Sequence, residues 1–284
     1  MFGNEQNGIE SRVKFRAYEF VQPRGLPNIW GTALSSPVEI APTRNRLLAA
    51  LPAEVFARLL PDLQLAPMPL GKVIYESGIE LEHVFFPVTS CIVSMLYVMK
   101  DGSSAEIAVI GDEGMVGFAL FMGGGTTSSR ALVQSAGQAF QLKAQALQDE
   151  VERHGKLQAL LLRYTQALIT QTSQTAVCNR YHSVEQQLCR WLLLSLDRLS
   201  TNELSMTQGL IANMLGVRRE GVTEAAGKLQ ARGLIRYSRG HIEVLDRPGL
   251  ETQVCECYAV VKKEYDRLLP VRKTRSSRPE LVHS

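Results

Sequence analysis

MTQGLIANMLGVRREGVTEAAGKLQARGLIRYSRGHIEVLD, residues 206–246, is the stretch on which the reading of this chain turns. Leu210, Ile211, Met214 and Leu215 share one helical face over 207–215, and Thr207 stands where an N-cap belongs. Gly216 lets the chain turn with positive φ at little steric cost, and Val217 follows as a plug for the core. A second helix is expected over 218–232. Val222, Ala225, Ala226 and Leu229 form its buried stripe, and Arg218, Arg219, Glu220 and Thr223 lie opposite. Gly233 suits the position just past the helix end. Leu234, Ile235 and Tyr237 then alternate with Arg236, Ser238-Arg239-Gly240 makes a turn, and Ile242 and Val244 return. Two short helices about a tight turn, then a ribbon with Arg239 and His241 at its tip, make a winged helix-turn-helix.

That pattern predicts a surface for double-stranded DNA. Arg pairs bidentately with guanine and Glu accepts from cytosine, so Arg218, Arg219 and Glu220 at the second helix's start are candidate base readers. Thr207, Gln208 and Thr223 are candidate phosphate contacts near helix N-termini, and Arg239 and His241 extend the surface along the wing. An ordinary solvated helical hairpin would also show a charged outer face. It would not need the turn Gly, the buried Val behind it, Arg-Arg-Glu at the helix start and a basic hairpin together.

These residues resemble the Crp/Fnr family of bacterial transcription regulators. The family's recognition helix opens with Arg-Glu and a Val two positions on, matched here by Arg219, Glu220 and Val222. Its preceding helix reads Thr-x-x-x-(Ile/Leu)-(Ala/Gly), matched by Thr207, Ile211 and Ala212. The chain departs at Glu224, where the family often has Arg, and base preference departs with it. The resemblance covers roughly residues 45–250. It implies an α+β chain: a jelly-roll (cyclic-nucleotide-binding-like) sensor domain, a long dimerisation helix and the winged helix-turn-helix.

Upstream, short β-prone runs at 73–75, 84–86, 92–99, 105–110, 131–134 and 139–142 are punctuated by Gly71, Gly78, Gly102, Gly111, Gly114 and Gly137. Such spacing suggests a sandwich or jelly roll. Nucleotide-binding members of the family follow a Gly with a Glu for the ribose and later use an Arg beside a small residue for the phosphate. Here Gly117 leads into Phe118-Ala119-Leu120, without that carboxylate, while Arg130 precedes Ala131. Phe118, Ser128, Ser129 and Arg130 are the candidate effector-pocket residues. The glycine- and hydroxyl-rich loop 123–129 is open to three readings: a flexible loop, a site for another anion or small molecule, or a cyclic-nucleotide site.

Residues 44–60 read as helical, with Leu47, Leu48, Leu51, Val55, Leu59 and Leu60 as candidate core and Pro52 at the first position of a second helix. Leu157, Leu161, Tyr164 and Leu168 recur at coiled-coil spacing and are the candidate dimer seam, continued by Gln171, Thr175 and Cys178. A core helix would show the same stripe; the resemblance to paired central helices favours dimerisation. Residues 183–199 form a buttressing helix and 250–269 a C-terminal one.

The expected divisions are 1–43, an irregular extension; 44–143, sensor; 144–181, connecting and dimerisation helices; 182–249, DNA-binding; and 250–284, C-terminal helix and basic tail. The tail gathers Lys262, Lys263, Arg267, Arg272, Lys273, Arg275 and Arg278, which act either as a solvated end or as extra phosphate contacts. A formal charge of +3 over 284 residues does not by itself argue for nucleic acid.

No apolar run approaches the ~20 residues of a membrane helix, and no signal-peptide core is apparent. Five cysteines in no regular framework suit a reducing, cytoplasmic compartment. Cys255 and Cys257, one residue apart, are poorly spaced for zinc, and the five histidines form no cluster in sequence. With no cysteine before Cys91, the family's N-terminal iron–sulfur mechanism is excluded. Counting leaves a haem sensor open, since one His or Cys can be enough, but no metal or cofactor is expected, and no catalytic residues. The expected partners are a two-fold DNA operator, a second copy of the chain, RNA polymerase and an unknown small effector. Two rivals stay open: a small jelly-roll metalloenzyme with an accessory winged helix, against which His83 is the single histidine of 70–142, and a protein-binding winged helix without DNA affinity.

Overall fold

The computed structural model describes residues 40–269. The expected extension, 1–43, and the basic tail beyond 269 lie largely outside the described residues. The helical stretch over 44–60 is broken. α1 (Arg46–Ala49) is capped by Asn45, whose side-chain oxygen accepts from the Leu47 and Leu48 amides, and α2 (Ala53–Leu59) follows Pro52. Pro52 is the N-cap, one position before its predicted place. Leu47, Leu48, Leu51, Val55 and Leu59 are buried, while Leu60 is exposed, because the helix tightens into a 3-10 turn at Leu60–Asp62. Asn45 is itself buried and donates to the carbonyls of Pro87 and Gly114, which pins this entry segment to the β domain.

The β domain is two stacked antiparallel sheets. One has the order β1 (Gln64–Met68), β7 (Gly137–Lys143), β3 (His83–Val88). The other has the order β2 (Val73–Tyr75), β6 (Arg130–Ser135), β4 (Ile92–Val98), β5 (Ser104–Ile110). The six runs expected from alternation and glycine punctuation are strands. β1 escaped because QLAPM holds a proline and only Met68 is buried, as suits a sheet edge. Phe86, Ile92, Ile110, Met115 and Leu142 fill the core. At burial of about 25 cal/mol per Å², each such side chain contributes roughly 1.5–3 kcal/mol.

β7 leads directly into α3 (Ala144–Val151) and then α4 (Lys156–Tyr181). Leu157, Leu161, Tyr164 and Leu168 are buried within one protomer, as are Gln171, Thr175 and Cys178. Tyr164 donates to the Met115 carbonyl and Gln171 to the Val109 carbonyl, so this face packs on the β domain. The residues expected at a dimer seam are covered within the chain: a stripe at three-and-four spacing marks any buried helix face, and this one packs intramolecularly. The opposite face of α4 exposes Leu162 and Ile169, each at 58%, and Val177.

α5 (Val184–Leu196) begins with a capping box between Ser183 and Gln186. Its Ser195 accepts from Gln134 of β6, which in turn accepts from Ser94 of β4. Arg198, just past α5, is buried and gathers four segments. Its guanidinium pairs with Glu113 at 2.6 Å, donates to the carbonyl of Leu194 and to Gln171 of α4, and stands 5.9 Å over the Tyr265 ring. The β domain and helices α4 and α5 thus meet at one buried ion pair.

The winged helix-turn-helix comprises β8 (Glu203–Ser205), α6 (Gln208–Leu215), α7 (Arg219–Ala231), β9 (Ile235–Ser238) and β10 (His241–Val244), with strand order β8-β10-β9. β8, too short to signal itself, was not expected. The single C-terminal helix expected over 250–269 is two: α8 (Arg247–Gln253) and α9 (Glu256–Leu268). The break falls where Val254 and Cys255 turn extended. No helix of the described residues is long and apolar enough to cross a membrane.

Candidate nucleic-acid interface

The turn between α6 and α7 forms as its residues require. Thr207 caps α6 by accepting from the Leu210 amide, Gly216 ends it at φ +66°, and the Val217 amide donates to Ala212. Val217 is half-buried against the core. Val222, Ala225, Ala226 and Leu229 seat α7, and Gly233 at φ +72° ends it. Arg218 is the N-cap of α7 and makes no side-chain cap. Arg219 occupies the first turn, where the positive end of the helix dipole disfavours a cation. This arrangement does not serve helix stability.

The wing is a two-residue hairpin: Arg239 at φ +48° and Gly240 at φ +81° both adopt left-handed backbone, as a type I′ turn demands. Tyr237 fastens it, its hydroxyl donating to the Met206 carbonyl and its amide donating to the side-chain oxygen of Gln230 of α7. Burial pushes that hydroxyl's pKa up to about 12, so it stays a donor. His241 Nδ1 lies 3.1 Å from Ser205 Oγ.

Two contacts join the elements that carry the eight predicted DNA contacts. Thr223 donates to Gln208 at 2.8 Å, which joins the starts of α6 and α7. A methyl at Gly240 would stand 3.6 Å from Thr207, so the wing tip adjoins the start of α6. Arg218, Arg219, Glu220, Thr223, Arg239 and His241 are exposed, as is Thr207, and Gln208 is half-buried. Glu224, the departure noted above, pairs with Lys228 at 2.7 Å along α7. Each holds the other charged: the carboxyl is pulled below its ordinary pKa and the ammonium raised above its own. Lys228 is one surface cation the sequence reading passed over, and its spacing of four from Glu224 was the available signal.

In the β domain, Gly117 at φ +92° opens a 3-10 turn at Phe118–Leu120, and Phe118 packs half-buried against the core. A side chain at Gly117 would press the His83 carbonyl at 3.1 Å. Loop 123–129 is tied to the facing loop, since Gly78 donates to Thr127 and Leu81 to Gly125. Arg130 pairs with Glu76 at 2.8 Å, Ser128 bonds Tyr97, and Ser129 bonds Thr127. Ser128 and Ser129 lie in this loop and Arg130 follows it, with the Glu76 carboxylate against the arginine.

The structure also assembles what sequence spacing failed to show. Cys178 and His182, at the end of α4, meet Cys255 and Cys257, at the start of α9. Cys255 and Cys257 are poorly spaced for zinc only along the chain. The missing partners lie about 75 residues upstream: Cys178 Sγ is 3.6 Å from Cys255 Sγ, with |i−j| = 77, and His182 Nδ1 is 3.6 Å from Cys257 Sγ, with |i−j| = 75.

Residues 186–253 match the family of Crp-like helix-turn-helix domains. Similar solved structures include a Crp/Fnr-family protein from Eubacterium rectale: 19% identity, TM-score 0.56, covering 73% of this chain and 96% of that one. FixK2 from Bradyrhizobium japonicum is 16% identical, with a TM-score of 0.54 and coverage of 68% and 98%. The c-di-GMP-responsive regulator CLP of Xanthomonas campestris is 17% identical, with a TM-score of 0.53 and coverage of 69% and 100%. At these identities the likeness is one of fold. Comparison with curated protein sequences finds no match.

Proposed function

From a Crp-like helix-turn-helix domain carried on the Crp/Fnr fold, we propose that this protein is a sequence-specific DNA-binding transcription regulator that acts as a homodimer. The single observation behind this reading is the exposed face formed by the starts of α6 and α7 and the wing tip. Arg219, Glu220 and Arg218 would read bases; Thr207, Gln208, Thr223, Arg239 and His241 would hold phosphates. The working division keeps 44–143 as sensor, 144–181 as connector and 182–249 as DNA-binding domain. RNA polymerase is the partner that regulation would require.

The dimer interface moves to the outer face of α4. Ala159, Leu162, Gln166, Ile169, Ser173 and Ala176 follow one another at three and four, the spacing of a two-helix seam. Pairing there would set two α7 helices on successive major grooves, about 34 Å apart. A ligand would act by binding one arrangement of the pair better than the other.

Cyclic AMP is not the effector in this reading. Phe118 replaces the ribose-binding carboxylate, and a phosphate would have to displace Glu76 from Arg130. An unpaired ribose hydroxyl in a closed pocket costs about 1–3 kcal/mol. Titration calorimetry with cyclic AMP, and with c-di-GMP in parallel, checks the pocket. Micromolar cyclic AMP affinity that Arg130→Ala abolishes would restore the usual nucleotide switch.

Selection from a random double-stranded library tests the main proposal. The expected outcome is a two-fold motif with half-sites about 10 base pairs apart, bound with a steep negative salt dependence. A library that emerges unenriched would overturn it in favour of a protein-binding winged helix.

A further inference from the structure

Three cysteines and a histidine, drawn from two distant segments, converge at the junction of α4 and α9. Their Sγ and ring nitrogen atoms all lie within 4.8 Å of one another. Cys178, Cys255 and Cys257 are almost fully buried, and His182 is half-buried. Cys178 lies in the last turn of α4, and His182, its C-cap four residues on, donates its amide to the Cys178 carbonyl. Cys255 is the N-cap of α9 and Cys257 lies in its first turn, where extended backbone at Cys255 aims both thiols at α4.

Two of the ligand-to-ligand distances match those around a single ion. A tetrahedral zinc with Zn–S near 2.3 Å holds its sulfurs about 3.8 Å apart, and a sulfur and an imidazole nitrogen about 3.5 Å apart. Cys178 Sγ and Cys255 Sγ stand at 3.6 Å, as do Cys257 Sγ and His182 Nδ1. An iron–sulfur cluster places its own irons and sulfides between the cysteines and would spread them wider.

The surroundings also suit a metal. His182 presents Nδ1 to the cysteines while Nε2 lies 3.4 Å from the exposed Glu256 carboxylate. A metal-bound imidazole commonly gives its other nitrogen to such a carboxylate, which fixes the ring. Gln187 of α5 donates to the His182 carbonyl at 3.0 Å, holding the segment after α4. Three thiolates around a divalent ion leave one negative charge. Buried Arg190, which donates to Thr175 one turn before Cys178, supplies the opposite charge at this end of the helix.

We propose that Cys178, His182, Cys255 and Cys257 bind one zinc ion, which clamps the C-terminal helices to the end of the central helix. α8 packs on α5 of the DNA-binding region and α9 on α4. The ion would thus staple the helix-turn-helix domain to the helix that carries the proposed dimer seam. Thiolate ligands must lose their protons to bind, so the folded chain and the metal stabilise each other.

Elemental analysis of the full-length protein, purified anaerobically without added chelator, gives the first test. One zinc per chain is expected. Cys178→Ser and Cys257→Ser should lose it, while Cys91→Ser and Cys189→Ser should keep it. Should the site variants fail to fold, the wild type alone decides. Stripped and reloaded with cobalt, it should show thiolate-to-cobalt charge transfer and the d–d bands of a tetrahedral site, at one ion per chain. Metal-free protein should melt at a lower temperature, and zinc should restore the melt. A chain without stoichiometric metal, an octahedral cobalt spectrum, bound iron, or a Cys178–Cys255 disulfide in the freshly isolated protein would each overturn the assignment. None of these readouts involves DNA, so the outcome stands apart from the proposed regulator function.

Discussion

At the residue scale, the start of α7 places function against stability. Arg219 sits at the positive end of a helix dipole and is exposed. Arg219→Ala should therefore fold as well as the parent or better, by about 0.3–1 kcal/mol. At a selected operator it should lose about 1–3 kcal/mol of binding, the worth of one bidentate base contact. Fluorescence anisotropy on operator and on scrambled DNA separates the cases. An equal loss on both would make Arg219 a phosphate contact only. Arg218, Glu220 and Arg239 were legible in the sequence because exposed polar residues at a helix start or hairpin tip need only local pattern to be placed. The burial of Leu157, Leu161, Tyr164 and Leu168 within one protomer was not, because periodicity tells which side of a helix is apolar and says nothing about what covers it.

At the element scale, β5 carries a carboxyl with no ready solvation. Glu106 is buried, and burial, partly offset by Ser94 and nearby arginines, pushes its pKa up to about 7. A carboxyl raised in the folded state binds its proton more tightly there than in the unfolded chain. Its contribution is full below the unfolded pKa of about 4.5 and is lost as pH rises through about 7. Asp112, raised to about 6 by burial and by Glu113, acts with the same sign. Glu106→Gln should flatten the part of this slope that Glu106 carries. The variant should gain on the order of 3 kcal/mol relative to wild type between pH 4.5 and pH 8. Urea unfolding across that range measures it, and parallel curves for the two proteins would place the titration elsewhere.

The Glu113–Arg198 pair is where elements become a molecule. It joins the β domain to α4, α5 and α9 through one guanidinium. Glu113→Ala leaves a buried cation and should cost about 3–5 kcal/mol, while Glu113→Leu with Arg198→Met should cost much less. A double-variant loss equal to the sum of the single losses would show that the two charges do not act as a pair. Above one chain, the exposed face of α4 makes its own forecast. Leu162→Asp with Ile169→Asp should give a folded monomer in sedimentation, because charge would be placed in a dry seam. Leu161 and Leu168 variants should instead unfold the protomer. A double Leu162/Ile169 variant that still sediments as a dimer would move the interface off α4.

The sequence by itself determined the local order: six of the β-domain strands, the turn at Gly216, the buried stripe of α7 and the wing. Each is set by residues within a few positions of one another, through backbone preference and the period of apolar side chains. Tertiary structure alone decided which faces meet. Nothing in 157–168 says whether its stripe covers a β domain or a second chain. Nothing in C-E-C at 255–257 says that Cys178 and His182 wait beside it. Such pairings are fixed by chain reversals through α5 and the winged domain, and no local pattern carries that distance.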